Sequence, residues 1–146
     1  MRALRVVTGL VGAVGMILLI GCSDGGVKLV PVSGQILIDG KPLPKARIQV
    51  LVKGSRPAMA ESDAEGRFSL MTFKPGDGVA TGTHQVLVAA VQNPKPGLQT
   101  LHCPEKYMDP ATSDLKLAVD KATDQAKLEL TWGGVTGPIT KKVDIE

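Results

Sequence analysis

From Val30 to Trp132 the chain alternates apolar and polar residues in short runs that Gly, Pro and Asp interrupt. A period of two places every second side chain on one face, which is typical of strands that bury one side. No run keeps a helical period for more than two turns. Seven strands are predicted, at residues 32–38, 48–52, 59–62, 67–71, 82–90, 115–119 and 127–132. Because no crossover helix separates them, the pattern favours an all-β chain folded as an antiparallel β-sandwich.

Two stretches fall outside the predicted strands. Gln92–Asp114 contains four prolines, which cannot occupy a central strand, so a long ordered or semi-ordered loop is predicted there. Long loops on rigid sandwiches commonly carry recognition, which makes this loop the candidate binding surface. Gly133–Glu146 is expected to be either an edge strand or a mobile tail. The last two predicted strands are expected to pair through a turn at Asp120–Gln125.

The N-terminus has the features of an export signal. Two cations, Arg2 and Arg5, precede 15 uncharged and mostly apolar residues, and Gly21 stands before Cys22. The apolar run is shorter than the roughly 20 residues that a membrane-spanning helix needs. Leu19–Cys22 resembles the lipobox of bacterial lipoproteins, in which the signal is cleaved before the cysteine and the thiol takes a diacylglycerol. The alternative is an ordinary secretory signal followed by an accidental cysteine.

The lipobox resemblance divides the chain into four parts. The expected parts are a cleaved signal helix at residues 1–21, a lipidated cysteine and flexible tether at 22–29, the β-sandwich domain at 30–132, and the tail or edge strand at 133–146. Each buried CH₂ contributes about 0.8 kcal/mol, so several acyl chains on Cys22 would hold the protein firmly on a bilayer. Ser23 is not the Asp that retains some lipoproteins in the inner membrane. The outer membrane, on its periplasmic or surface face, is therefore favoured.

Removal of the leader also changes the charge of the protein. The full chain carries a net charge of +3, and loss of the two cations Arg2 and Arg5 reduces +3 to +1. Nucleic-acid binding needs a dense cationic face, so nucleic acid is excluded as a partner. The chain has one Trp, one Tyr and two Phe, and of these Phe68 and Trp132 are expected to lie in the core.

The candidate reactive residues are two histidines and one cysteine. Cys103 has no partner once Cys22 is acylated, so no intramolecular disulfide is expected. His102 precedes it, and a thiol beside an imidazole can bind copper or zinc or act as a nucleophile. Adjacent side chains of an extended chain point to opposite faces, however, and His84 is 18 positions away. His84, His102 and Cys103 are therefore only weak metal candidates. Cys103 is expected to be an exposed or half-exposed loop thiol whose change to Ser costs under about 1 kcal/mol.

A series of turn and strand motifs runs through residues 30–132. The motifs are Val32–Gly34, Asp39–Leu43, Ala46–Ile48, Ser62–Phe68, Pro75–Val79, Gly82–Val86, Pro104–Tyr107 and Thr112–Leu115. Their order resembles the carboxypeptidase regulatory-like, or transthyretin-like, domains of planctomycete-type bacterial lipoproteins. This resemblance implies a seven-stranded prealbumin-like sandwich with a non-enzymatic role, and it implies no particular ligand. His84 departs from the aromatic residue that such domains usually have at this place.

No catalytic residues are predicted, because the chain has no Gly-x-Ser-x-Gly, His-Glu-x-x-His or phosphate-loop sequence. The sequence predicts a membrane-anchored lipoprotein of the cell envelope with a non-catalytic binding or scaffolding β-module and no cofactor. Its expected partners are membrane lipid, through Cys22, and an envelope protein or polysaccharide. The alternative is an envelope metal-binding or redox protein that uses His102 and Cys103.

Overall fold

The computed structural model of the protein describes residues 26–144. Within that range the only helix is a short 3-10 helix, Glu105–Met108. The strands are β1 (Leu29–Val30), β2 (Val32–Ile38), β3 (Lys41–Pro42), β4 (Arg47–Leu51), β5 (Ala58–Glu61), β6 (Arg67–Ser69), β7 (Val79–Ala80), β8 (Gly82–Ala89), β9 (Val91–Lys95), β10 (Leu98–Leu101), β11 (Lys116–Val119), β12 (Thr123–Leu130) and β13 (Ile139–Lys142). The all-β prediction is confirmed. The predicted count of seven strands is not confirmed, because the described chain has thirteen strands in four sheets.

The first sheet is built around β2. Strand β12 pairs with one edge of β2, and β3 and β6 pair with the other. The buried and half-buried residues of β2 alternate along its whole length, as predicted. The pairing of β2 with β12 is parallel, which corrects the expectation of a wholly antiparallel sandwich. Parallel partners need a long crossover, and here the entire second sheet lies between the two strands in the chain.

The second sheet has the order β11-β8-β4-β5, and all its pairings are antiparallel. The expected hairpin between the last two predicted strands is therefore wrong: β11 pairs with β8, whereas β12 pairs with β2 in the other sheet. The inward side chains of both sheets belong to a single buried cluster, so the two sheets face each other in a sandwich-like arrangement. Its fully buried members include Ile36 and Leu128 from the first sheet and Ile48, Val50 and Val88 from the second.

The predicted loop Gln92–Asp114 is also corrected, because about half of it belongs to the hairpin β9–β10. Pro94 lies in β9, at the edge of a third sheet with the order β13-β10-β9. An edge strand tolerates proline because one row of its N–H groups has no partner to lose. The other edge of this sheet is β13, which is formed by part of the C-terminal stretch 133–146.

The two ends of β2 define the two ends of the molecule. At the first end, β1 pairs with β7, and the Thr123 N–H donates to the Pro31 carbonyl oxygen at 3.0 Å. At the second end, the Asp39 N–H donates to the Leu130 carbonyl oxygen at 3.0 Å. The seven residues of β2 span about 20 Å. We call these the β1 end and the Trp132 end, because Trp132 lies two residues after Leu130, the last residue of β12.

Candidate functional site

A cleft of about 440 Å³ opens at the Trp132 end. One wall is the segment that follows β2, and the other is the C-terminal segment between β12 and β13. Its volume lies in the range of small-ligand pockets. The side chains that border this Trp132 cleft include Asp39, Lys41, Pro42, Pro44, His102, Trp132, Val135, Thr136 and Pro138.

The first wall is fixed by the turn between β2 and β3. Asp39 and Gly40 both have positive φ, 46° and 78°, which is the backbone conformation of a tight hairpin turn. The Asp39 carboxylate accepts a hydrogen bond of 2.8 Å from the Thr131 hydroxyl, and the Thr131 hydroxyl oxygen accepts one of 3.0 Å from the Gly133 N–H. This chain of hydrogen bonds ties the turn to the start of the opposite wall.

The second wall lies directly on the indole of Trp132. A Cβ atom added to Gly137 would stand 2.0 Å from Trp132 Cε2, so only glycine allows this approach. The Trp132 ring is partly buried and also packs against the core, in line with the expectation from the sequence. Trp132 therefore serves two purposes, since it covers the end of the core and supports the segment that borders the cleft.

His102 borders the same cleft from the third sheet. It follows β10, and its backbone N–H donates to the Ala90 carbonyl oxygen at 2.7 Å. Its side-chain Nε2 atom is buried, and no described residue forms a hydrogen bond with it. A buried polar atom without a partner costs free energy unless another group supplies one.

Cys103 lies on the opposite side of the chain, inside the core. Its side chain is fully buried, and the thiol donates a weak hydrogen bond to the Val88 carbonyl oxygen at 3.6 Å. This contradicts the expected exposed or half-exposed loop thiol. The sequence shows the prolines around Cys103 but not that β8 passes behind it. Burial raises the pKa of the Cys103 thiol above its ordinary value of 9.0, although a backbone hydrogen bond with Ala90 lowers it in part.

The third metal candidate is remote from the other two. His84 lies near the start of β8, at the β1 end, and its Nε2 atom donates to the Ala80 carbonyl oxygen at 2.8 Å. Val88, which contacts Cys103, is four residues further along the strand, or roughly 13 Å. Between residues 26 and 144 no three His, Cys, Asp or Glu side chains stand close enough to hold a metal ion.

Two features of the Trp132 cleft are absent from the sequence-based expectations. Trp132 is predicted as a core residue only, and the segment after it as a tail or an edge strand. Gly137 and Pro138 border the cleft. The sequence could have indicated only a turn at these two residues, because glycine and proline favour turns. The predicted cleavage and lipidation residues, Gly21 and Cys22, lie outside the described range.

Comparison with known proteins gives no relative: no family model, no curated protein and no solved structure matches this chain. Across residues 26–144, no helix combines the length and the apolar character that crossing a membrane requires.

Proposed function

We propose that this protein is an exported lipoprotein of the cell envelope, anchored through an acylated Cys22, whose β-domain is a non-catalytic binding module. Its distant kinship with transthyretin-like domains is part of the same proposal. The ligand is an envelope protein or polysaccharide. We propose the Trp132 cleft, rather than the stretch Gln92–Asp114, as the binding surface. His102 is the residue of that stretch that borders the cleft.

The observation that carries the binding role is the cleft itself, a concave surface bordered by His102, whose buried Nε2 atom has no hydrogen-bond partner among residues 26–144. The cleft combines an aromatic ring, three prolines and a few polar groups. Such a mixture is typical of ligand sites, where apolar walls supply contact area and few polar groups fix orientation. Asp39 and Lys41 place one negative and one positive charge at its border.

The state of Cys103 supports a role without catalysis. A thiol acts as a nucleophile or metal ligand in its thiolate form, and a raised pKa keeps it protonated at neutral pH. The side chain is also fully buried, so a substrate does not reach it. Among residues 26–144 no arrangement favours the alternative of a metal or redox protein, because His102 borders the cleft whereas Cys103 lies in the core.

The anchor is tested by replacing Cys22 with Ala in the native host. Cells are labelled with an alkyne-tagged fatty acid, and the protein is followed by labelling, by mass and by flotation with membranes. We expect the unchanged chain to incorporate the label and float, and Cys22→Ala to lose the label and keep its leader or become soluble. A matched change at the other cysteine, Cys103→Ala, should keep the label. Equal labelling of the two variants refutes the anchor.

The binding role is tested with a photo-crosslinking amino acid at Thr136, which is exposed on the border of the cleft. The control position is Glu129, which is exposed on β12 and outside the cleft. Irradiation of living cells should give a discrete product of higher mass from position 136 and not from 129. Protease and glycosidase digestion then distinguish a protein from a polysaccharide. The same products from both positions, or none from 136, contradict binding at the cleft.

A further inference from the structure

An exposed loop, Thr72–Gly78, lies at the β1 end of the molecule, beside the point where the chain enters the domain. Gly78 is packed so closely on the backbone that an added Cβ would stand 1.8 Å from the Val30 carbonyl oxygen. The next residues, Val79 and Ala80, form β7, which pairs with β1. The loop is therefore fixed to the first strand of the described chain.

A single carboxylate holds this loop in shape. Asp77 accepts hydrogen bonds from the N–H groups of Thr72, Phe73 and Lys74, at 2.7, 2.9 and 3.0 Å. The Thr72 hydroxyl also donates to the Gly78 carbonyl oxygen at 2.7 Å. Charge-assisted bonds of this kind are stronger than neutral ones, so the loop holds its side chains in a defined position.

The side chain that the loop presents is apolar. Phe73 is 66% exposed, more than any other large hydrophobic residue between residues 26 and 144. Met71, two positions before Phe73, forms an isolated bridge with Met59, and these two side chains are also exposed, at 45% and 49%. An exposed apolar cluster on a rigid support marks an interaction surface rather than a fold requirement.

The distance along the chain to Cys22 identifies the occupant of this surface. Leu29 is seven positions after Cys22, and an extended chain covers at most about 25 Å in that length. A domain tethered this closely keeps its β1 end at the bilayer surface. Lys74, which follows Phe73, and Lys28, which precedes β1, are both exposed, and long cationic side chains of this kind can reach lipid phosphates.

We infer that the loop Thr72–Gly78 is a second membrane contact, in which Phe73 inserts into the interface of the bilayer that holds the lipid anchor. This inference rests on the proposed acylation of Cys22. Aromatic residues favour the membrane interface, and an inserted side chain would fix the orientation of a domain that is otherwise held only through its N-terminal anchor. In that orientation the Trp132 cleft, at the opposite end of β2, faces away from the membrane.

The test uses the acylated protein, from Cys22 onward, in phospholipid vesicles whose acyl chains carry bromine, which quenches tryptophan fluorescence on contact. Two variants are compared, Phe73→Trp at the β1 end and Val135→Trp at the Trp132 end. Val135 is a matched control because it is 57% exposed. The unchanged protein gives the contribution of Trp132, its only tryptophan. We expect quenching in Phe73→Trp to exceed that in Val135→Trp by at least about threefold.

The outcomes separate this inference from the proposed function. Acylation and flotation are measured on the same samples. If the protein is acylated and floats, but Phe73→Trp is quenched no more than Val135→Trp, the membrane contact is refuted and the anchor stands. If Cys22 carries no lipid, both the anchor and the contact are refuted. Near-UV circular dichroism verifies that the substitutions, both at exposed positions, leave the fold intact.

Discussion

The β1 end and the Trp132 end are both closed by a glycine, but the glycines pack on different partners. At the β1 end, Gly78 lies against the backbone carbonyl of Val30. At the other end, Gly137 lies against the side chain of Trp132. A carbonyl that belongs to a paired strand cannot move without breaking the sheet, whereas an indole can change its torsion angles. The β1 end is therefore held by backbone that cannot shift alone, whereas the Trp132 end is held by a side chain that can.

The polar groups at the two ends also differ, in how many hydrogen bonds they make. The Asp77 carboxylate at the β1 end accepts three backbone hydrogen bonds. His102 Nε2 has no partner among residues 26–144. A satisfied polar group stabilises the conformation that it has, whereas an unsatisfied one favours a change that brings it a partner.

The largest expected effect is that of Gly78→Ala. The added methyl group collides with the Val30 carbonyl, and the backbone has a φ of +83°. We expect the free energy of unfolding to fall by about 3–4 kcal/mol, measured with denaturant. Gly76→Ala is the matched control, because φ is +78° there and nothing lies within 4 Å. That control should lose only about 1 kcal/mol, and equal losses would show that the collision does not matter.

Cys103→Ser should have the next largest effect, because it places a hydroxyl in the apolar core. We expect a loss of about 2 kcal/mol in the free energy of unfolding, partly limited by a hydrogen bond to the Val88 carbonyl. Cys103→Ala keeps the site apolar and should lose less. The native thiol should also resist aromatic disulfide reagents until the protein unfolds. Rapid modification of the folded protein would contradict its burial.

Gly137→Ala should act on the Trp132 end alone. The methyl group displaces either the indole or the segment above it, so the cleft opens while both sheets stay paired. We expect a loss of at most about 1 kcal/mol, since a side chain can shift. The fluorescence of Trp132 should move to longer wavelength as water reaches the ring. Gly134→Ala, with no atom within 4 Å of the added group, should leave the emission unchanged. The same shift in both variants contradicts the contact.

The smallest effect is a local one at the β1 end, and it depends on pH. Desolvation raises the pKa of Asp77, but the N–H groups of Thr72, Phe73 and Lys74, together with the Lys74 charge, outweigh it and hold the pKa below the ordinary value of 3.8. The contribution of this carboxylate to loop stability is therefore complete above pH 3.8 and disappears as the pH falls through the lowered pKa.

Amide exchange measured by nuclear magnetic resonance tests this prediction. In Asp77→Asn the amides of Phe73 and Lys74 should exchange faster at neutral pH, while those of the sheets keep their protection. Asp63→Asn is the control, since Asp63 makes the corresponding bonds to Glu65 and Arg67 in another turn. Unchanged exchange at residues 73 and 74 would mean that the carboxylate does not hold the loop.

Strand positions and buried faces could be predicted where the alternation is strong. The apolar positions of β2 and β4 are buried as expected, and Phe68 lies in the core. Pairing could not be predicted from the same signal. The alternation of apolar and polar residues is the same in parallel and antiparallel strands. The parallel pairing of β2 with β12 could therefore not be predicted from it. Gly34 permits it, because an added Cβ there would stand 1.9 Å from the Ala126 carbonyl oxygen.

For the candidate site, too, residue types could be predicted from the sequence but their spatial arrangement could not. The sequence singled out His102 and Cys103 as a pair, and the extended chain separates them, one bordering the cleft and the other in the core. Trp132 could be predicted as apolar and partly buried from its residue type alone. That Gly137 lies on its ring depends on where β13 pairs with β10, a contact between residues about 40 positions apart in the chain.

By itself, the sequence determined that the described chain is all-β and which faces of its best-patterned strands are buried, because both follow from local periodicity and the hydrophobic effect. It also predicts an export signal and a lipobox from local patterns, and these residues lie outside the described range. Only the tertiary structure decided which strands pair, that Cys103 is buried, that the cleft and the Phe73 loop lie at opposite ends, and that His102 borders the cleft. These features depend on contacts between residues far apart in the chain, and hydrophobic periodicity is the same for every partner that such residues could meet.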